Sequence, residues 1–159
     1  MFYNVPLIPQ TTDMSCWAAS IAMILSWRDQ ASYDPSLIAQ NFGGTNYVPQ
    51  LAKGLDPSDT YILTRNGFRV LAPQCYTIGG IQRLLSQFGP LWVAGFTEAP
   101  HIRVVTGLTG SRVHVNDPWP PKSGAQYTRS FNEFFGAMER LGAKEMKERA
   151  PVYVAHLMG

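Results

Sequence analysis

The stretch from Ser15 to Arg28 constrains this chain more than any other. Ala18, Ala19, Ile21, Ala22, Met23, Ile24, Leu25 and Trp27 crowd into it, so a helix here is apolar around almost its whole circumference. Such a helix belongs in an interior, enclosed by other elements. It is not a membrane span, because its longest apolar run, Ala18 to Leu25, is broken by Ser20 and falls far short of the ~20 residues required. The 159 residues make one ordinary domain, read as residues 1–159, and a domain of this size buries about two thirds of its unfolded surface.

Composition agrees with a packed interior. Hydrophobic residues are 45% of the chain and charged residues 15%, which excludes general disorder. The net charge of +2, with no long block of one sign, leaves neither nucleic acid nor an anionic membrane as the expected partner. Two cysteines, Cys16 and Cys75, are too few for a disulfide framework. The segment Met1 to Gln10 has no basic region, and Asn4, Pro6 and Pro9 interrupt its apolar residues, so it does not read as a signal peptide. The expectation is synthesis in a reducing cytoplasm, with any export through a dedicated secretion system that reads no cleavable signal.

The first half reads as helices. Asp13 or Ser15 is placed to cap the buried helix. A second helix starts at the Asp34 cap with Pro35 in its first position and stops at Gly43-Gly44. A third follows Asp56-Pro57 and runs to Asn66-Gly67, and a fourth spans Thr77 to Phe88 before Gly89-Pro90. The second half turns to strands: Leu91 to Phe96, Ile102 to Leu108, Arg112 to Asn116 and Val152 to Leu157. Thr109-Gly110 predicts a hairpin turn between the second and third of these. Ser130-Phe131-Asn132-Glu133 is a capping-box pattern that opens a helix through Leu141, and Lys144 to Arg149 extends it. The fold class is therefore α+β, a helical half around a buried helix followed by a mostly antiparallel sheet half.

Cys16 stands in the first turn of the buried helix. Free backbone amides and the helix dipole favour an anion there, and the thiolate is the nucleophilic form of cysteine. The alternative is a small core cysteine, since free cysteine is among the most buried residue types. Gln10, in the loop leading to the helix, carries an amide that can fold back and donate to a developing oxyanion beside the Cys16 backbone N–H. As a base, His101 at a strand end projects toward a cleft, whereas His114 reads as a half-exposed sheet residue and His156 as structural. The hairpin makes Asp117 a cross-strand neighbour of His101, where a carboxylate fixes the imidazole tautomer and stabilises the imidazolium. Asn116 is the competing orienting residue, and Asp117-Pro118 also reads as a turn starter.

Gln10, the run Met14-Ser15-Cys16-Trp17-Ala18-Ala19-Ser20, His101 at a strand start and Asp117 at the end of the next strand together resemble the papain-like cysteine peptidases. The order of the four residues, the step from Gln10 to Cys16 and the Cys16-Trp17 pair carry the likeness. The strand pair Pro100 to Leu108 and Val113 to Pro118 is similar to small bacterial members. These are relatives of the double-glycine leader peptidases of bacteriocin exporters, and effector proteases injected into other cells. Trp17 stands where the leader peptidases usually have glycine, and no motif of the resemblance is placed in the segment between Phe42 and Tyr76, so no substrate-side residue is carried over from it.

The resemblance implies a papain-like fold and peptide-bond hydrolysis through an acyl-enzyme, with Cys16 as nucleophile, His101 as base and acid, Asp117 orienting it and Gln10 at the oxyanion. Cleavage after small residues such as Gly-Gly suits a narrow cleft beside Trp17. No metal or other cofactor is expected, since two Cys and three scattered His show no ligand spacing. The expected partners are a protein substrate and, because no pro-segment precedes Cys16, a cognate immunity or inhibitor protein of a bacterial toxin or effector. Two other readings stay open: a cysteine-dependent acyl transferase or glutamine deamidase, and a catalytically dead module that binds peptides.

Overall fold

The computed structural model describes residues 1–43, 54–55, 61–145 and 152–159. The buried helix, α1, runs over Cys16–Asp29, and every residue from Cys16 to Ser26 is buried. Its cap differs from the expectation. Asp13 is exposed, and Ser15 faces backwards, its Oγ accepting from the Thr11 and Thr12 N–H groups at 3.1 and 2.9 Å and making no cap bond to the helix. The hydroxyl closes the entry loop instead, leaving the first amides of α1 without a side-chain cap. At the other end Gln30 turns left-handed and its N–H bonds to the Ser26 carbonyl.

Helix α2 (Pro35–Gly43) is capped as expected, the Ser36 N–H bonding to Asp34 Oδ1 at 2.7 Å. Gly44, in its expected stop, lies outside the described residues. Helix α3 covers Tyr61–Arg65, and its expected beginning at Asp56-Pro57 lies outside them as well. Helix α4 (Ile78–Phe88) starts with the Thr77 side chain accepting from the Gly80 N–H and stops at Gly89. The capping box is formed in both directions: Glu133 N–H bonds to Ser130 Oγ and Ser130 N–H to Glu133 Oε2. It opens a π-helical turn (Asn132–Gly136) that runs into α5 (Ala137–Glu145). The expected extension beyond Glu145, through residues 146–149, lies outside the described residues.

Six strands form one sheet in which every pair is antiparallel: β1 (Phe68–Val70), β2 (Leu91–Phe96), β3 (Pro100–Thr109), β4 (Arg112–Asp117), β5 (Ala125–Ser130) and β6 (Val152–Leu157), ordered β1-β6-β2-β3-β4-β5. The edge strands β1 and β5 have no counterpart in the sequence reading. One is only three residues long, and the other is Ala-Gln-Tyr-Thr-Arg-Ser, whose polar content suits an edge but hides the alternation that marks a strand. The hairpin turn falls one residue later than expected, on Gly110-Ser111, because Thr109 pairs with Arg112. Gly110 there takes φ 59°, the left-handed conformation such two-residue turns require.

Helices cover both faces of the sheet. Alternation along the strands turns Trp92, Ala94, Ile102, Val104, Tyr153 and Ala155 to the core around α1, while Val93, Val105, Val113, Val115 and Val154 meet Ile81 and Leu85 of α4 and Phe134, Phe135 and Met138 on the other side. The helical half of the sequence thus supplies helices to each side of the sheet.

The N-terminal residues add an outer rung. Phe2 pairs with Gly107, Tyr3 N–H bonds to Thr106 O at 2.8 Å and the Met1 amine to Leu108 O at 2.9 Å. A Cβ on Gly107 would meet the Met1 carbonyl oxygen at 2.6 Å and Phe2 Cα at 2.8 Å, so only glycine admits this rung. Gly107→Ala is expected to destabilise the fold by about 1–3 kcal/mol by expelling that rung or forcing a backbone shift. A thermal melt checks this, with a lowering of the midpoint by about 2–4 °C for each kcal/mol at this size.

Candidate active site

Three elements deliver the candidate residues to one end of the sheet. Cys16 is the first residue of α1, and His101 is the second residue of β3. Asp117 is the last residue of β4. The register pairs Val104 with Asn116, so the next step sets Asp117 across from Arg103 and His101 on the adjoining diagonal of the same face. His101 and Asp117 are therefore neighbours across the hairpin, as expected, set on a diagonal.

His101 Nε2 lies 2.6 Å from Asp117 Oδ1, and the Cys16 side chain is near enough to the ring to favour its charged form. With Nε2 engaged by the carboxylate, Nδ1 is the ring atom left for the sulfur. Asp117 Oδ1 accepts in addition from the Trp119 N–H at 2.9 Å, and Oδ2 accepts from the Tyr127 hydroxyl at 2.8 Å. Asn116, the competing orienting residue, is on the opposite face. Its amide donates to Val5 O at 3.0 Å and accepts from Gln126, so it cannot serve His101.

Electrostatics follow from these contacts. Burial alone disfavours a charged ring on His101, but the hydrogen bonds and charges of Asp117 and Cys16 outweigh it and raise the imidazole from 6.5 to about 9. Burial also works against charge on Asp117, yet bonds from His101, Trp119 N–H and Tyr127 hold its carboxyl below the usual value. At neutral pH the pair is an imidazolium beside a carboxylate. Because the imidazole is raised on folding, its contribution to stability is fully present below pH 6.5 and is lost as the pH rises through about 9. A reaction that uses the imidazolium as acid is expected to lose kcat/KM along a basic limb centred near pH 9, measurable on any cleavable peptide.

Gln10 is almost fully buried, with its backbone N–H on Pro118 O at 3.0 Å, which ties the entry loop to the chain just beyond Asp117. Its Nε2 donates to Thr12 O at 2.7 Å, and its Oε1 has no partner among the described residues. One N–H of the amide remains uncommitted. Trp17 overturns one expectation. It is fully buried in the core around α1 and walls no cleft, because its position next to Cys16 points it to the interior side of the helix.

The remaining candidates are apart from these residues. His114 is half-buried, bonded to Thr109 Oγ1 at 2.9 Å and edge-on to Phe2, and His156 is buried, stacked on Phe88 with its Nδ1 2.8 Å from the Leu157 carbonyl oxygen. Cys75 is exposed, and both cysteines are free thiols. Tyr127 and Arg103 escaped the sequence reading. Tyr127 sits on the edge strand that carries no clear alternation, whereas Arg103 did leave a signal, a lone charge between Ile102 and Val104 in a buried strand.

The family described as papain-like cysteine protease AvrRpt2 matches residues 1–139 of the chain. In backbone geometry the chain is similar to the peptidase domain of Streptococcus ComA, a bifunctional ABC transporter involved in a quorum-sensing pathway, with a TM-score of 0.62 and 14% identity over 98% of this chain and 100% of that one. It is similar to a C39-like peptidase from Bacillus anthracis, with a TM-score of 0.61 and 15% identity over 98% of this chain and 96% of that one. A double glycine motif protease from an AMS/PCAT transporter, solved with its leader peptide, gives a TM-score of 0.55 and 17% identity over 99% of this chain and 94% of that one. No protein of curated function matches the chain.

Proposed function

The chain belongs to the papain-like cysteine proteases of the AvrRpt2 family, and from that premise we propose that it hydrolyses peptide bonds of a protein substrate through Cys16, His101 and Asp117. The observation that carries the proposal is the 2.6 Å hydrogen bond between His101 and Asp117, with the Cys16 side chain near enough to raise the imidazole. The Cys16 thiolate attacks the scissile carbonyl carbon, and the oxyanion is met by the Cys16 backbone N–H and the uncommitted N–H of Gln10. The C–N bond then breaks as the His101 imidazolium gives its proton to the leaving amine. Water attacks the resulting thioester while His101 takes up its proton, and the carboxylic acid product leaves the thiolate and imidazolium restored. Asp117 holds the ring in the required tautomer throughout.

Cleavage after small residues such as Gly-Gly is the substrate preference we propose. It rests on likeness to the double glycine motif protease and not on Trp17, which is buried. The proposed setting is a bacterial effector or toxin, delivered by a secretion system and held in check by an immunity protein. Harmless expression of the active chain in its own host, without any neighbouring gene, counts against that setting.

The test is intact-mass analysis of a protein substrate and of a leader peptide bearing Gly-Gly, each incubated with the parent and with Cys16→Ala. Two fragments summing to the substrate plus water, formed only by the parent, support hydrolysis. An intact chain with the very small gain of deamidation, or an added acyl group, replaces this reading with acyl chemistry at the same cysteine. No change in mass and no labelling of Cys16 by a peptidyl epoxide leaves only a peptide-binding module.

A further inference from the structure

We infer that Tyr127 and Arg103 are positioning residues of the site, a part-buried relay in which the Arg103 guanidinium donates to the Tyr127 oxygen and the Tyr127 hydroxyl donates to Asp117, keeping the carboxylate aimed at His101. The inference rests on the proposed roles of Cys16, His101 and Asp117. Arg103 is only 8% exposed, and a buried guanidinium is costly unless it is paired. Yet among the described residues it makes no ion pair with a carboxylate. Nη1 donates to Tyr127 Oη at 3.2 Å, Nη2 to Met138 Sδ at 3.1 Å, and its Cζ lies 4.1 Å from the centre of the Phe134 ring. The carboxylate that its charge reaches, through one hydroxyl, is Asp117.

Three strands make this arrangement. Arg103 on β3 stands across from Asp117 on β4 by the register, and Tyr127 on β5 pairs with Val115, two residues before Asp117 and on its face. All the donors point the same way along the chain Arg103, Tyr127, Asp117, the orientation in which each bond polarises the next. With Oδ1 taken by His101 and Trp119 N–H, the Tyr127 bond to Oδ2 fixes the remaining rotation of the carboxylate. That rotation sets the plane of the imidazole and so the direction of Nδ1 toward Cys16. The charged or titratable groups in this constellation are His101 and Arg103 from β3, Tyr127 and Arg129 from β5, the latter with its guanidinium 4.6 Å from the centre of the Tyr127 ring, and, through His101, Cys16 from α1.

Alkylation of Cys16 by iodoacetamide tests the relay without a known substrate, in a Cys75→Ser background because Cys75 is an exposed thiol. The parent is compared across pH 4 to 10 with Tyr127→Phe, Arg103→Met and the double variant, with His101→Ala as reference and a thermal melt on each. Without the Tyr127 hydroxyl, Asp117 Oδ2 loses that bond and the carboxylate can rotate, so the imidazole is aimed less well at the sulfur and supports the thiolate less. Tyr127→Phe is therefore expected to slow alkylation about tenfold near pH 6 and to move the acid limb up by about one pH unit. Near pH 10, where the ring is neutral in parent and variant alike, the rates agree within about twofold.

The double variant is expected to be no more than about twofold slower than Tyr127→Phe alone, since Arg103 acts through the hydroxyl. Equal slowing at every pH, an unshifted acid limb, or additive losses overturn the relay and leave Arg103 and Tyr127 as packing residues. Parent alkylation that is indifferent to His101→Ala overturns the proposed site itself, and the relay with it.

Discussion

Replacing Cys16 with alanine is expected to abolish turnover, with a loss of about a millionfold in kcat, while the domain remains folded. The size of the loss follows from chemistry: alanine offers no atom to form the acyl-enzyme, and the imidazolium and oxyanion donors then have no intermediate to stabilise. The fold is spared because the change removes a single sulfur atom from the first residue of α1 and leaves the helix backbone intact. The cost to stability is about 1 kcal/mol, a melting shift of about 2–4 °C. The assay is fragment formation from a protein substrate, followed by mass, with a melt on the same sample. Full cleavage by a folded Cys16→Ala protein ends the assignment of the nucleophile.

His101→Ala is expected to cost about ten-thousandfold in kcat. In the proposed mechanism the ring has two tasks, to hold the proton away from the sulfur and to return it to the leaving amine, and alanine performs neither. The same variant carries a stability signature that a bystander histidine would lack. Asp117 keeps its bonds from Trp119 N–H and Tyr127, so the domain folds, but it loses its charged partner at a cost of about 1–3 kcal/mol. The imidazole is raised from 6.5 to about 9, so the parent's advantage is complete at pH 6 and fades by pH 10. The difference in melting temperature between parent and His101→Ala therefore narrows over that range. A gap that stays constant with pH would show that the ring's charge contributes nothing to holding Asp117.

The parts of the fold that were legible in the sequence are those in which the local signal and the final environment agree. Helix α4 begins on the Thr77 side chain and ends at Gly89, and β2 and β6 span the expected residues, because a cap, a glycine stop and an apolar run each act within a few residues. The edge strands escaped because their pairing is with distant partners: β1 lies along β6, and β5 along β4. Ser15 misled for a related reason. Its hydroxyl had a choice between the helix amides and the loop amides of Thr11 and Thr12, and the path of the entry loop made that choice.

From the sequence alone came the kinds of chemistry on offer: a thiol at the start of an apolar helix, an imidazole at a strand end, and a carboxylate closing the next strand. Those are properties of residue type and short-range order, which a chain expresses locally. Tertiary structure decided which of them meet. It turned Asn116 to the far face and buried Trp17 away from any cleft, and it set Asp117 diagonal to His101. It also placed the Tyr127 hydroxyl and the Arg103 guanidinium behind the carboxylate. The physical reason is that strand register and layer packing are settled by contacts between residues far apart in the chain, and a shift of one residue in register exchanges the two faces of a strand.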